Sequence, residues 1–439
     1  MKKEYFKSLI ISGQEKSRKD LKKRDLVLPD INKTFCIYGP RRSGKTSYLL
    51  YEMAQKAKTV GSDRVVYINF EDEILLPLEA SDLKYITGAY YELYPQNKDK
   101  TVYLFLDEIQ EIKGWERFIR RITDTENIRV YITGSSASLL SSEIATSLRG
   151  RTLSYEMLPL SFNEYLNFTG IDHKNIYNSK NQSYIINALN KYLHSSGYPE
   201  TIKEDDQVRK KLLTEYMNLT IYRDVIERFN INNQLLAKYL LRHCFRNPAS
   251  LMSVNKVYND FKSVGLSLSK NSLYEYLAYL EDAMCVFFVP VYRQSVREQQ
   301  LNPRKLYISD QGFYHIQTLK ADEGRLFENA VYLELRQHFD HLFYYKEKYE
   351  VDFVAEKRDK IFLYNVCYDI SDKKTFIRET RSLEEAMCNL GVKTATLITS
   401  SDEDELKTVS GKINIVPLWK WLLSDHHSET GNLLKLEIY

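Results

Sequence analysis

The feature that most constrains the fold of this chain is a glycine-rich loop placed between an apolar run and a helical pattern. The loop fits G-x-x-x-x-G-K-[ST] and reads Gly39-Pro40-Arg41-Arg42-Ser43-Gly44-Lys45-Thr46, with Ser47 next. Backbone N–H groups of such a loop and of the following helix bind phosphate oxygens. A lysine at this position pairs with the β- and γ-phosphates, and the adjacent hydroxyl ligates Mg²⁺. We therefore predict ATP binding at residues 39–47, with Lys45 as a catalytic cation and Thr46 as a magnesium ligand.

Short apolar runs alternate with stretches long enough for a helix on both sides of this loop. The runs are TFCIYG, RVVYINF, TVYLFLD and RVYITG, with a further strand near Leu153–Met157. Strands that are almost continuously apolar are typically buried on both faces of a parallel sheet, and helices form the connections. The pattern predicts an α/β fold with a parallel sheet, which we assign to residues 31–160.

Two acidic residues, Asp107 and Glu108, end the third predicted strand. The carboxyl ends of parallel strands lie at one edge of the sheet, so these acids are expected beside the phosphate loop. We predict that Asp107 holds magnesium through water and that Glu108 orients or deprotonates the attacking water. An acid directly after the magnesium aspartate favours hydrolysis over nucleotide binding alone.

Two further positions are candidates for contacts near the γ-phosphate. The fourth strand ends at Thr133-Gly134-Ser135, and Ser135 is the predicted polar sensor, with Thr133 second and a plain turn as the alternative. The segment Arg149-Gly150-Arg151 offers a guanidinium that could neutralise developing charge, within the chain or on a neighbouring subunit. We choose Arg151, and the alternative is a surface arginine.

The remaining regions differ in pattern. The sequence pattern predicts four further regions. They are a helical arm at residues 1–30, a helical lid at residues 161–245, a winged helix-turn-helix at residues 246–318 and a separate α/β domain at residues 319–439. Between residues 16 and 24 the arm has six basic residues and one acid. This charge pattern has two interpretations, a solvated helix face or a phosphate-binding stripe.

The charge distribution limits how the chain can bind DNA. A net charge of +3 excludes a uniformly basic coat protein, so any affinity must come from local patches. The recognition helix, predicted from Ser269 to Met284, has Lys270 as its only base. The predicted wing loop contains Arg293, Arg297, Arg304 and Lys305. Two alternatives follow for these regions. One is DNA contact through the wing and the arm, and the other is docking to a protein partner.

The sequence also predicts the setting of the protein. No run of 18 or more apolar residues is present, and the first residues lack a signal-peptide core. The five cysteines are widely spaced and include no C-x-x-C, which favours reduced thiols. We therefore expect a cytoplasmic protein without a membrane partner. A homo-oligomer is one of the oligomeric states that the sequence allows.

An ordered series of segments gives the chain a family resemblance. The segments are GPRRSGKTS, YINFED, LFLDEIQEIKGWERFIRRI, YITGSS, LRGR, LPLSFNEYL and SGYPE. Together they resemble AAA-type ATP-binding proteins of archaea and bacteria that carry a C-terminal nuclease-like domain, along nearly the whole chain. The resemblance implies an additional-strand P-loop ATPase fold with a helical lid. The lid near Gly197-Tyr198-Pro199 departs from many AAA proteins because it has no obvious basic second sensor.

The last domain resembles the restriction-endonuclease-like PD-(D/E)xK fold. That resemblance implies a helix Glu, a strand-end Asp and an acid-x-Lys pair that gather magnesium and activate water. Glu328 and Asp352 fit the first two positions, whereas Asn365 and Cys367 stand where the acid and the lysine belong. We therefore expect a degenerate domain that is kept as a binding platform and does not cleave.

Three functional hypotheses follow. The leading one is a magnesium-dependent ATPase whose cycle moves the lid and the C-terminal domains, with DNA as a candidate partner. The alternative is a slow nucleotide-gated switch that binds a protein partner. The third is an ATP-regulated nuclease, in which Lys346 or Lys348 takes over the role of the missing lysine.

Overall fold

The computed structural model describes residues 2–18, 21–72, 78–135, 148, 150–176, 178–263, 265 and 269–424. The chain divides into two compact units, one of Met1–Pro159 with Asp282–Met284 and one of Leu160–Glu281 with Cys285–Tyr439. In the part of the chain that is described, no helix combines the length and the apolar character needed to cross a membrane.

The first unit is built on a five-stranded parallel sheet. Its strands are β1 (Thr34–Tyr38), β2 (Val65–Asn69), β3 (Val102–Asp107), β4 (Ile128–Gly134) and β5 (Thr152–Glu156). They lie in the order β2-β3-β4-β1-β5, and each neighbouring pair is parallel. The predicted α/β fold is confirmed. Because β4 lies between β1 and β3, the strand before the phosphate loop and the strand ending in acids are one strand apart.

Helices of the first unit pack on this sheet through apolar faces. They are α1 (Lys2–Glu15), α2 (Lys45–Val60), α3 (Lys84–Leu93) and α4 (Trp115–Thr125). Helix α2 buries Tyr48, Leu49 and Met53 in the cluster that contains Phe35 and Phe105. This packing fixes the first turn of α2, and with it Lys45, against the end of β1.

The N-terminal arm differs from the prediction. It is α-helical only to Glu15, and Lys16–Arg18 form a short 3₁₀ helix. Residues 21–24 are not helical, because Leu21 packs against the apolar cluster of the first unit as part of an irregular segment. Arg24 is buried, and its guanidinium donates to the carbonyl oxygens of Ser43 at 2.8 Å and Leu158 at 2.9 Å. The prediction of a helix across residues 1–30 is therefore wrong for residues 21–30, and Arg24 is not available to DNA.

The second unit begins with helices. These are α5 (Phe162–Thr169), α6 (Ser179–Leu193), α7 (Asp206–Leu219), which continues as a π-helix at Thr220–Glu227, and α8 (Gln234–Arg246). The loop after α6 is fixed by Asp310, whose carboxylate accepts from the Gly197 N–H at 2.6 Å and the Gly312 N–H at 2.8 Å. Burial raises the pKa of Asp310 to about 6.

A three-stranded antiparallel sheet follows. Its elements are β6 (Ser250–Met252), α9 (Val254–Ser263), α10 (Lys270–Asp282), β7 (Val286–Val289), α11 (Val296–Leu301) and β8 (Arg304–Ile308), with strand order β6-β8-β7. The Ser269 hydroxyl accepts from the Ser272 N–H at 3.0 Å, which is the hydrogen bond of a helix N-cap. Sequence analysis missed β6, because three residues are too few to show a period.

The last region holds a mixed six-stranded sheet in the order β13-β14-β12-β11-β10-β9. Its elements are α12 (Gln311–Gln317), α13 (Glu323–His338), β9 (His341–Lys346), β10 (Glu350–Lys357), β11 (Lys360–Val366), α14 (Lys373–Leu390), β12 (Thr394–Thr399), β13 (Asp404–Lys407), β14 (Lys412–Pro417) and α15 (Leu418–Leu422). The predicted α/β character is confirmed for this region, although the short strand β13 was missed.

Candidate nucleotide site

The glycine-rich loop has a conformation that its glycines allow. Gly44 has a φ of 101°, and Arg42, which is not glycine, also has a positive φ of 69°. A Cβ atom at Gly39 would lie 2.1 Å from the carbonyl oxygen of Met157, so no other residue fits there without displacement of the backbone. Among the described residues, none gives the buried Ser43 Oγ a hydrogen-bond partner. A buried hydroxyl of this kind is one that a bound ligand can complete.

Lys45 lies at the start of α2 and is 4% exposed. Its Nζ donates to the carbonyl oxygens of Gly39 at 3.0 Å and Pro40 at 2.9 Å. The same atom is 4.0 Å from Glu108 Oε1. The loop thus surrounds an ammonium group that faces the acidic end of β3. Thr46 and Ser47 are exposed in the first turn of α2, where a phosphate group and its metal can reach them.

Three strands contribute to the environment of Asp107. Tyr67 in β2 donates its hydroxyl hydrogen to Asp107 Oδ2 at 2.8 Å. Thr133 in β4 donates to Asp107 Oδ1, and its oxygen accepts from the Glu108 N–H at 3.0 Å. Asp107 is fully buried, and these hydrogen bonds set the orientation of its carboxylate. Ser135, which is also buried, follows β4, but Thr133 is the hydroxyl that lies between the two acids.

Glu108 has an unusual backbone and an unusual environment. Its φ of 52° and ψ of 47° are left-handed, a conformation that is uncommon for residues other than glycine and concentrates at functional sites. Burial raises the pKa of Glu108, the positive charge of Lys45 lowers it, and the charge of Asp107 raises it further, with a net upward shift. Gln110 Nε2 donates to Glu108 Oε2 at 2.5 Å. A carboxylate with a raised pKa is a stronger proton acceptor once ionised.

Sequence analysis did not single out Tyr67. It is one of 34 tyrosines in the chain, and although it begins the segment YINFED, nothing in that segment marks its hydroxyl as a partner of an acid. The signal lies in the sheet, because Asn69 in β2 is opposite Asp107 in β3, which places Tyr67 on a strand that directly neighbours the acid. Only knowledge of that register identifies its hydroxyl as a partner of Asp107.

The structure does not bring Arg151 to this site. Its carbonyl oxygen accepts from the Thr34 N–H at 2.9 Å, so it lies beside the first residue of β1, whereas the phosphate loop follows the last. Its side chain is 42% exposed and forms an ion pair with Asp124. Arg151 therefore lies at the amino-terminal edge of the sheet, opposite the loop. Arg149 lies outside the described residues.

The predicted nuclease-like residues do lie together in the second unit. Glu328 on α13 and Asp352 on β10 both accept from Lys305 Nζ, at 3.0 and 2.8 Å. Asn365 Oδ1 accepts from the Asp352 N–H at 3.0 Å. Cys367 follows β11, and burial raises the pKa of its thiol to about 11. Lys305 was predicted in an exposed wing loop, and that prediction is wrong because it lies within β8 and is 3% exposed.

Comparisons with known proteins support the presence of an AAA domain in the first unit. A family model described as AAA domain matches residues 31–166. Two models described as Domain of unknown function, DUF8612 and DUF4143, match residues 186–323 and 323–421. The uncharacterized protein MJ1544 of Methanocaldococcus jannaschii is 36% identical over 437 residues, which cover 96% of this chain and 96% of that protein.

More distant matches extend the comparison. An uncharacterized protein of Haemophilus influenzae is 27% identical over 342 residues, which cover 76% of this chain and 82% of that protein. The solved structure of the Walker-type ATPase PABY2304 of Pyrococcus abyssi is 14% identical and has a TM-score of 0.41, covering 65% of this chain and 90% of that chain.

Proposed function

Since the chain belongs to the same family as MJ1544 of Methanocaldococcus jannaschii and its first unit contains an AAA-type P-loop domain, we propose that it is a magnesium-dependent ATPase. The reaction is hydrolysis of ATP to ADP and phosphate. The observation that carries the proposal is the arrangement of Lys45, Asp107, Glu108 and Thr133, in which a buried ammonium lies near Glu108 and the Thr133 hydroxyl joins Asp107 to the Glu108 backbone.

The loop and α2 bind the phosphates in this proposal. Backbone N–H groups of residues 39–47, other than Pro40, contact the phosphate oxygens, and the Lys45 ammonium exchanges its carbonyl partners for the β- and γ-phosphates. Thr46 and Asp107 are the residues that would hold Mg²⁺, because a hydroxyl and a carboxylate are oxygen ligands of the kind it prefers. When bound, Mg²⁺ neutralises phosphate charge.

Glu108 acts on the attacking water. Its carboxylate accepts a proton from the water as the oxygen approaches the γ-phosphorus. The Thr133 hydroxyl positions Asp107 and the Glu108 backbone relative to each other. The Tyr67 hydroxyl donates a second hydrogen bond to the Asp107 carboxylate. We assign Thr133 and Tyr67 as positioning residues, since both act through the acids.

In this proposal the ATPase cycle moves regions of the second unit. We infer a lid at residues 161–245, a winged helix at residues 246–318 with elements in the order β6-α9-α10-β7-β8, and an inactive nuclease-like domain after it. The wing offers few free cations, because Arg293 pairs with Glu347 and Arg304 lies 3.9 Å from Glu281. This pairing favours a protein partner over DNA for these regions.

Steady-state ATP hydrolysis tests the proposal. We expect phosphate release that requires Mg²⁺, stops on addition of EDTA and is not stimulated by single- or double-stranded DNA, because three of the four predicted wing cations, Arg293, Arg304 and Lys305, are paired with acids. Stimulation by DNA would instead assign a DNA-directed ATPase. Absence of both nucleotide binding and hydrolysis in Mg²⁺ would contradict the assignment of the site.

Arg151 provides a test of assembly. Because it lies at the opposite edge of the sheet from its own phosphate loop, we propose that it contributes to the site of a neighbouring subunit. Arg151→Ala and Glu108→Gln are each expected to be slow alone, and a mixture of the two is expected to regain hydrolysis, since some interfaces then hold both intact residues. Lack of recovery at every mixing ratio would remove Arg151 from the mechanism. Arg121→Ala, which removes another partly exposed arginine of the same unit, is the control and should hydrolyse ATP normally.

A further inference from the structure

A buried lysine lies at the centre of the nuclease-like cluster. Lys305 Nζ is 2.8 Å from Asp352 Oδ1, 3.0 Å from Glu328 Oε1 and 3.0 Å from Glu350 Oε1, and its side chain is 4% exposed. An ammonium group has three donors, and here each has a carboxylate within hydrogen-bond distance. Burial lowers the pKa of Lys305, but Asp352, Glu328 and Glu350 raise it more, so that its pKa lies well above the ordinary value and the group stays charged.

The carboxylates around this ammonium have other partners that fix them. The Tyr307 hydroxyl donates to Glu328 Oε1 at 2.7 Å. The Val366 N–H donates to Asp352 Oδ2 at 2.8 Å, and Lys346 Nζ donates to Glu350 Oε2 at 3.2 Å. The cluster is therefore organised around the position of the ammonium. It also joins two sheets, since Lys305 is in β8 of the three-stranded sheet and Asp352 is in β10 of the six-stranded sheet.

This arrangement does not fit a resident magnesium ion. A nuclease-like site would need Mg²⁺ between the carboxylates of Glu328 and Asp352, at about 2.0–2.1 Å from their oxygens. The Lys305 ammonium already contacts both carboxylates, and a divalent cation beside it would be repelled. Within the described ranges, no group of three His, Cys, Asp or Glu side chains is arranged to hold a metal ion.

We propose that the Lys305 ammonium is the permanent cation of this cluster, which takes the place of a divalent metal and closes the nuclease-like site. Asn365 and Cys367 stand where the resemblance implies an acid and a lysine, so neither position carries the implied charge, and Lys305 supplies a positive charge from another strand. The site then serves as an ion cluster between two sheets. This inference does not depend on the ATPase proposal, because no residue of the phosphate loop takes part.

Binding of Mn²⁺, followed by electron paramagnetic resonance on the full chain without nucleotide, tests the proposal. All variants carry Asp107→Asn, which removes the metal ligand proposed for the first unit. We expect no Mn²⁺ at the cluster when Lys305 is intact, and one bound Mn²⁺ per chain after Lys305→Ala. The further change Asp352→Asn should abolish the gained site. Lys346→Ala is the matched control, because it removes a lysine that is 49% exposed at the same cluster, and it should gain no Mn²⁺.

Two results would overturn the proposal. One is Mn²⁺ bound by the chain with Lys305 intact and lost on Asp352→Asn. The other is a folded Lys305→Ala variant that binds no Mn²⁺. The carboxylates would then be unable to bind a divalent metal in place of the ammonium.

Thermal unfolding covers the case in which Lys305→Ala folds poorly. Three half-buried carboxylates without their cation should lower the unfolding midpoint by roughly 5–10 °C, and Mn²⁺ should restore it. The variant Lys305→Met with Glu328→Gln and Asp352→Asn removes the repulsion, so we expect it to be more stable than Lys305→Ala without metal. A triple variant that is no more stable would show that the charge of Lys305 is not what the cluster requires.

Discussion

Replacement of Glu108 by Gln will leave ATP binding intact and slow ATP hydrolysis at least about a hundredfold. Gln keeps the size of the side chain and can keep a carbonyl oxygen toward Gln110 Nε2, which donates to Glu108 Oε2 at 2.5 Å. It cannot accept a proton from water. Because the phosphate contacts of the loop do not involve residue 108, the affinity for ATP should change little.

Single-turnover hydrolysis and equilibrium binding of a fluorescent ATP analogue separate the two effects. Glu111→Gln is the matched control, since it makes the same chemical change at an exposed acid three residues further along, and it should hydrolyse ATP at the normal rate. Hydrolysis by Glu108→Gln at the normal rate would place the general base elsewhere.

The pH dependence gives a second readout for Glu108. Its pKa is raised by burial, so the acid limb of the profile of kcat/KM should lie above the ordinary pKa of a glutamate, with activity rising as the carboxylate loses its proton. Glu108→Gln should lack this limb, and Glu111→Gln should retain it.

The sequence predicts the sheet of the first unit because four of its five strands, β1 to β4, are buried on both faces and are therefore almost continuously apolar. Their ends also identify Asp107 and Glu108, since the residues after a buried parallel strand lie at one edge. The same logic applies to Arg151, which directly precedes β5 and so belongs to the opposite edge. The sequence thus contained the location of Arg151, although its motif alone suggested the phosphate site.

Contacts between distant segments explain what the sequence could not predict. Lys305 is adjacent to Arg304 and resembles a wing cation, but its partners Glu328 and Asp352 are 23 and 47 residues away. Tyr67 meets Asp107 only because of the register between β2 and β3. Such pairings depend on how whole elements pack, and composition or spacing within one segment does not encode them.

Replacement of Lys45 by Ala should weaken ATP binding about ten- to hundredfold, because a charge-assisted hydrogen bond to phosphate contributes roughly 1.5–3 kcal/mol. Hydrolysis should fall with it, since the same ammonium stabilises the charge on the phosphates. The variant also leaves Glu108 without the positive charge that lies 4.0 Å away, which should raise the pKa of Glu108 further.

Isothermal titration with ATP and Mg²⁺ measures the affinity, and circular dichroism on heating checks that the first unit remains folded. Lys58→Ala is the control, because Lys58 is an exposed lysine of the same helix α2 and should bind ATP normally. The contrast with Glu108→Gln is decisive: loss of binding at Lys45 together with retained binding at Glu108 assigns the ammonium to the phosphates and the carboxylate to the water. Wild-type affinity in a folded Lys45→Ala variant would remove the loop from nucleotide recognition, since no other described side chain in it is a buried ammonium near Glu108.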